Sequence, residues 1–122
     1  MLKRMGLAVA LMGAFIAPAL AQTDCVAPVA PAAVNGASAT KPQMLSAVAD
    51  VKAFIAASDT YQTCLGNYLT AQKAAAVTNK TPFDANIEKD IAAKVTANQA
   101  MKEKVGGEIN ASLVAFKAAQ PK

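Results

Sequence analysis

From residue 44 onward the apolar residues recur at spacings of three and four. Met44, Val48, Val51, Phe54, Ile55, Tyr61, Leu65, Tyr68 and Leu69 therefore fall on one face of a helix. A second series follows: Ile87, Ile91, Val95, Met101, Val105, Ile109, Leu113 and Phe116. The sequence Thr40-Lys41-Pro42-Gln43 marks the start of the first helix. Thr40 is placed as N-cap, Pro42 sits in the first turn where its missing N–H is not needed, and Gln43 completes a capping box. Thr81-Pro82-Phe83-Asp84 reads as the second start, with Thr81 as cap and Pro82 as the first helical residue. The pattern predicts helices over about 41–78 and 82–119, joined by a loop short enough to make them antiparallel neighbours. The expected class is all-α: a long two-helix hairpin spanning 40–122.

Two glycine sites interrupt helix propensity without breaking the pattern. Gly66-Asn67 is expected to leave the first helix continuous, because one glycine costs only about 1 kcal/mol relative to alanine. Folding the hairpin about residues 79–80 brings Cys64 near Val95, Tyr61 near Asn98, Met44 near Ala115, and Phe54 near Val105 and Gly106. Gly106-Gly107 then has two readings: a groove filled by the Phe54 ring, or a kink or weak point in the second helix.

Residues 22–39 show neither helical nor alternating periodicity. Pro28 and Pro31 fix φ and bias their neighbours toward extended geometry, so this stretch is expected to be an extended Pro/Ala-rich arm. Its Pro-x-x-Pro spacing also occurs in ligands of aromatic grooves, but the packed or linking arm is the simpler reading.

The chain begins with Lys3 and Arg4, an apolar run from Gly6 to Ala17, and Pro18-Ala19-Leu20-Ala21. This is the pattern of a secretory signal peptide over 1–21, cleaved between Ala21 and Gln22. Pro18 cuts the run short of the roughly 20 apolar residues a spanning helix needs, so no membrane span is expected after cleavage. Gln22-Thr23-Asp24 does not form the small apolar box that precedes an acylated cysteine. The expected location is periplasmic or secreted.

Cysteine chemistry follows from that compartment. Cys25 and Cys64 are the only two cysteines, and in an exported chain they are expected to pair with each other. Reach allows it. The helix from Thr40 to Cys64 is roughly 36 Å long, and an extended arm from Thr40 back to Cys25 spans roughly 46 Å. The bond would tether the arm along the hairpin and lay Val26, Val29 and Val34 over the seam between the helices.

Charge and composition then remove whole classes of function. The formal net charge is +4, but Lys3 and Arg4 leave with the signal peptide, so twelve basic residues become ten against eight acidic, net +2. That is no footprint for nucleic acid. Histidine is absent, which removes the commonest general base and metal ligand together. Met44 and Met101 fall on the apolar stripes and read as core. Glu88 with Asp90, and Glu103 with Glu108, lie among lysines and read as solvated faces. Asn79-Lys80-Thr81 and Asn110-Ala111-Ser112 are treated as chance matches to the glycosylation sequon. No catalytic, cofactor or metal residues emerge, and no enzyme is expected.

Asp24-Cys25 with Pro28 and Pro31, the block Val51-Lys52-Ala53-Phe54-Ile55, the run Ser58 to Leu65, and Asn110 with Ala115-Phe116-Lys117 resemble small exported helical proteins of proteobacteria that have no assigned activity. The resemblance spans nearly all of the chain beyond the signal and implies export and a disulfide, but no catalytic residues. Two functions are expected from these readings. The first is a non-enzymatic periplasmic protein acting through protein contacts, with an unknown partner or by self-association, or as an envelope structural or stress factor. Its motive is apolar stripes broader than two helices can bury. The alternative is a carrier of a small apolar ligand in a slot between hairpin and arm, where Tyr61, Tyr68 and Asn98 would supply polar contacts.

Overall fold

A computed structural model describes residues 24–121; the expected signal peptide and its cleavage point at Ala21 and Gln22 lie outside the described residues. The described chain is an arm followed by two packed helices, α1 (Lys41–Thr78) and α2 (Ala85–Ala119), with no strand among them. The first helix starts as its sequence dictates. Gln43 N–H donates to Thr40 Oγ1, the Gln43 side chain returns to accept from Thr40 N–H at 2.8 Å, and Pro42 lies in the first turn. It then runs unbroken through Gly66.

Its end is set by a Schellman turn. Thr81 N–H donates to Ala76 O at 3.0 Å and Lys80 N–H to Val77 O at 3.2 Å, which reverses the chain with Lys80 at φ 51°. A lysine there carries the steric strain of a left-handed conformation that glycine adopts freely. Lys80→Gly is therefore expected to raise stability by up to about 1 kcal/mol, read as a shift in the urea midpoint at unchanged slope.

The second helix begins three residues later than its sequence suggests. Thr81 is already committed to closing α1, and the residue before a proline is steered away from helical geometry. The cap passes to Asp84, whose carboxylate accepts from Asn86 N–H at 2.9 Å. Pro82 and Phe83 stay in the loop, where the Lys73 ammonium lies 5.5 Å from the centre of the partly buried Phe83 ring.

Between the helices the buried positions follow a seven-residue repeat. On α1 they are Met44, Ala47, Val51, Phe54, Ser58, Tyr61 and Leu65; on α2 they are Ile91, Asn98, Val105 and Ser112. This spacing keeps one narrow seam facing the partner from Met44 to Leu65 on α1 and from Ile91 to Ser112 on α2. Two apolar clusters form it, one around Val51, Phe54 and Val105, the other around Tyr61, Leu65 and Ile91. The pairing of Phe54 with Val105 agrees with the register expected from folding about residues 79–80.

Two core expectations are corrected. Met101 is 39% exposed, because it lies one turn from the seam line of Asn98 and Val105, on the flank rather than the contact face. Gly106-Gly107 neither breaks α2 nor receives the Phe54 ring: a β-carbon at either glycine would meet nothing within 4 Å, and Phe54 turns toward Val51 and Val105 instead.

Candidate functional site

Distinctive chemistry is concentrated on the arm and on what fixes it. Cys25 and Cys64 form a disulfide that joins the arm to the middle of α1, leaving no free cysteine among the described residues. From that anchor the arm keeps a period of three. Cys25, Pro28, Pro31 and Val34 are partly buried, whereas Val26, Val29 and Ala32 are exposed. Three residues per turn is the repeat of a polyproline II helix, which the two prolines favour through their fixed φ.

That period explains why the expected valine cover is only partial. Once Cys25 points inward to reach Cys64, residues 28, 31 and 34 must follow it, and residues 26 and 29 must face solvent. Val26 is 83% exposed and Val29 91% exposed. Only Val34 of the three valines turns partly inward, and the seam is covered by small residues: Ala30 packs against the Val51, Phe54 and Val105 cluster.

At its other end the arm is held by a clamp that hydropathy does not reveal. The Ser112 hydroxyl lies 2.5 Å from Val34 O and 2.9 Å from Glu108 O, so its single proton bridges the arm and its own helix. Two residues on, buried Gly36 lies directly against the α2 backbone. A β-carbon there would sit 1.8 Å from Ser112 O and 3.0 Å from Phe116 N. The chain then turns away through Asn35, whose Oδ1 accepts from Ala37 N–H at 3.1 Å and whose carbonyl accepts from Ser38 N–H at 3.2 Å.

A polar layer crosses the middle of the seam. Asn98 Nδ2 donates to the fully buried Ser58 hydroxyl at 3.2 Å, and Gln62 Nε2 donates to Asn98 Oδ1 at 2.8 Å. Asp59 with Lys102 pairs across the helices beside it, and Lys73 with Glu88 pairs nearer the loop. A buried polar pair at one seam position penalises any slip of register, since sliding α2 would strand both groups in apolar surroundings. Asn98→Ala is expected to lower stability by about 1–2 kcal/mol, measured by denaturant unfolding, by leaving Ser58 without its partner.

The three residues expected to contact a ligand do not converge. Tyr61 is buried in the apolar core and Asn98 belongs to the polar layer. Tyr68 lines an open groove of about 690 Å³ beside Asp24, Cys25, Cys64, Asn67 and Ala71. Its hydroxyl is buried without a hydrogen-bond partner. Where the arm crosses the seam, between Pro31 or Val34 and Val51, Val105 or Ser112, only about 10 Å³ remains. That space accommodates about one water and no ligand.

Among the described residues, no group of three or more cysteine or acidic side chains could hold a metal, and no helix is long and apolar enough to cross a membrane. The hydroxyls of buried Ser58 and Ser112 both have their bonds made within the fold, unlike that of Tyr68. Sequence reading missed Ser58, Ser112 and Gly36. The first two are polar residues on an apolar repeat, and extending the interval between Ile91 and Val105 would have found Asn98 and Ser112. Compared with known protein families, curated proteins and solved structures, the chain matches none.

Proposed function

We propose that this protein is an exported, non-enzymatic interaction module of the bacterial envelope, and that its tethered arm is the part presented to a protein partner. The observation that carries this reading is the pair Val26 and Val29, the two most exposed of the large apolar side chains, set three residues apart on a segment fixed at both ends. The helices also carry exposed apolar residues, Leu45, Val77, Met101 and Val114, each less exposed than Val26 and Val29.

Tethering matters for affinity. A free Pro-rich segment must be ordered when it binds, at about 1–2 kcal/mol of backbone entropy per residue. An arm already ordered by Cys25, Ser112 and Gly36 has met that cost in folding. The fitting partner has an apolar, aromatic-lined groove that accepts side chains at every third position of an extended chain. The absence of histidine and the pairing of Ser58, Asn98 and Gln62 with one another support a non-enzymatic role.

Replacing both valines by serine is expected to leave the melting temperature within about 2 °C, because neither is buried. The same variant should abolish recovery of the partner that crosslinks to wild-type protein in periplasmic material. Leu45→Ser with Val114→Ser is the control, and loss of the partner in that variant alone would move the contact to the helices. Self-association through the arm is read from sedimentation of the same proteins.

The groove lined by Asp24, Cys25, Cys64 and Tyr68 favours a second reading, a small apolar ligand held between Asp24-Cys25 and α1. Extraction of purified protein into organic solvent, followed by mass spectrometry, tests it. A ligand retained by wild type and lost in Tyr68→Phe supports the carrier.

A further inference from the structure

We propose that Asn35 is a site of spontaneous covalent modification, and that docking of the arm on α2 sets its rate. Asn35 precedes Gly36, so the backbone nitrogen next to its side-chain amide carries no flanking β-carbon to obstruct ring closure. The Asn35 side chain is exposed, which gives water and solvent base access to it. In the reaction the Gly36 backbone nitrogen loses its proton to solvent base and bonds to Asn35 Cγ. The Cγ–Nδ2 bond breaks and ammonia leaves, forming a cyclic imide. Water then opens the ring at either carbonyl, giving aspartate or the β-linked isoaspartate, with no oxidant or reductant consumed.

The docked arm opposes the first step. Ring closure swings the Asn35–Gly36 peptide, yet Gly36 is wedged against the Ser112 carbonyl and the Phe116 nitrogen, and Val34 O is held by the Ser112 hydroxyl. The Asn35 carboxamide is also held in place by the Ala37 N–H. Modification therefore proceeds from the locally opened arm, at a rate proportional to the population of that state.

The two products have opposite consequences. Aspartate keeps an acceptor oxygen for the Ala37 N–H and preserves the backbone. Isoaspartate inserts an extra main-chain carbon, about 1.5 Å of additional path, between Val34 and Gly36, two anchor points of the arm only two residues apart. Val34 and Gly36 cannot then both keep their contacts with Ser112, so isoaspartate releases this end of the arm permanently.

The test is peptide mapping of full-length secreted protein held in mildly alkaline buffer, with aspartate and isoaspartate resolved at each asparagine. Ser112→Ala, which retains the disulfide, is expected to convert Asn35 at least about tenfold faster than wild type. Cys25→Ser with Cys64→Ser frees the other end and should accelerate it as well, whether or not that variant stays folded. Asn79 in the exposed loop is the internal reference and should change little between wild type and Ser112→Ala. In Asn35→Asp protein the arm should stay as protease-resistant as in wild type, while the isoaspartate fraction is cut between residues 30 and 39. Equal Asn35 rates in wild type and Ser112→Ala, or an isoaspartate fraction as resistant as wild type, overturns the proposal.

Discussion

Reduction of the Cys25–Cys64 bond is expected to lower the stability of the protein by about 4 kcal/mol, the chain-entropy value for a loop of this size. The two cysteines are 39 positions apart. For a domain of this length that loss corresponds to a fall of roughly 20 °C in melting temperature. The effect is large because the fold has little else to spare. Its core is a single seam with alanine and serine among its buried positions, and each small side chain removes little apolar area from water. The bond also acts locally, since the first turns of the arm make no backbone hydrogen bond to the helices. Without it, Ala30 and Pro31 would be held to the seam only through the Ser112 and Gly36 contacts further along. Thermal melts with and without reductant, repeated on Cys25→Ser with Cys64→Ser, measure the effect. A shift under about 5 °C would mean that the hairpin stands without its tethered arm.

How much of this could be read in advance depended on whether a signal was local or arose only in the folded chain. The N-cap box at Thr40 is local, and its geometry follows the sequence in every bond. The pairing of Cys25 with Cys64 was legible because compartment and reach both allowed it. The start of α2 was misplaced because two overlapping signals competed for Thr81, and completing the turn that ends α1 won over capping α2. Val26 and Val29 of the arm were misassigned for a different reason. Hydropathy places them inside, but burial along the arm repeats every three residues, and the disulfide had already assigned the inward edge to Cys25, Pro28, Pro31 and Val34. The ridge proposed to bind a partner is thus a consequence of covalent register rather than of composition. Tyr61 and Asn98 were sound choices as notable residues, but the Tyr61 ring is part of the core and the Asn98 amide bonds across the seam, which no local pattern distinguishes from ligand contact.

Substituting alanine for glycine is expected to have opposite signs at different glycines of this chain, and the contrast isolates the docking of the arm. At Gly36 the new β-carbon would overlap Ser112 O, 1.8 Å away, and crowd Phe116 N at 3.0 Å. Both are backbone atoms inside α2, so no side chain can rotate to make room. The arm must retreat, breaking the Ser112 bond to Val34 and opening the apolar cluster beneath Ala30. Overpacking of this kind is expected to cost about 3 kcal/mol. At Gly66 and Gly107 the same methyl group projects into open space within a continuous helix. There it restricts the unfolded chain and improves helix propensity, for an expected gain of about 0.5–1 kcal/mol at each site. Denaturant midpoints of the three single variants decide the matter. If Gly36→Ala behaves like Gly107→Ala, then Gly36 does not rest on α2 and the arm is not clamped at Ser112. If it falls while the other two rise, combining Gly36→Ala with the reduced disulfide gives the coupling between the two ends of the arm. A combined loss smaller than the sum would show that once one anchor is gone the other holds little, which is the behaviour expected of a segment that docks as one cooperative unit.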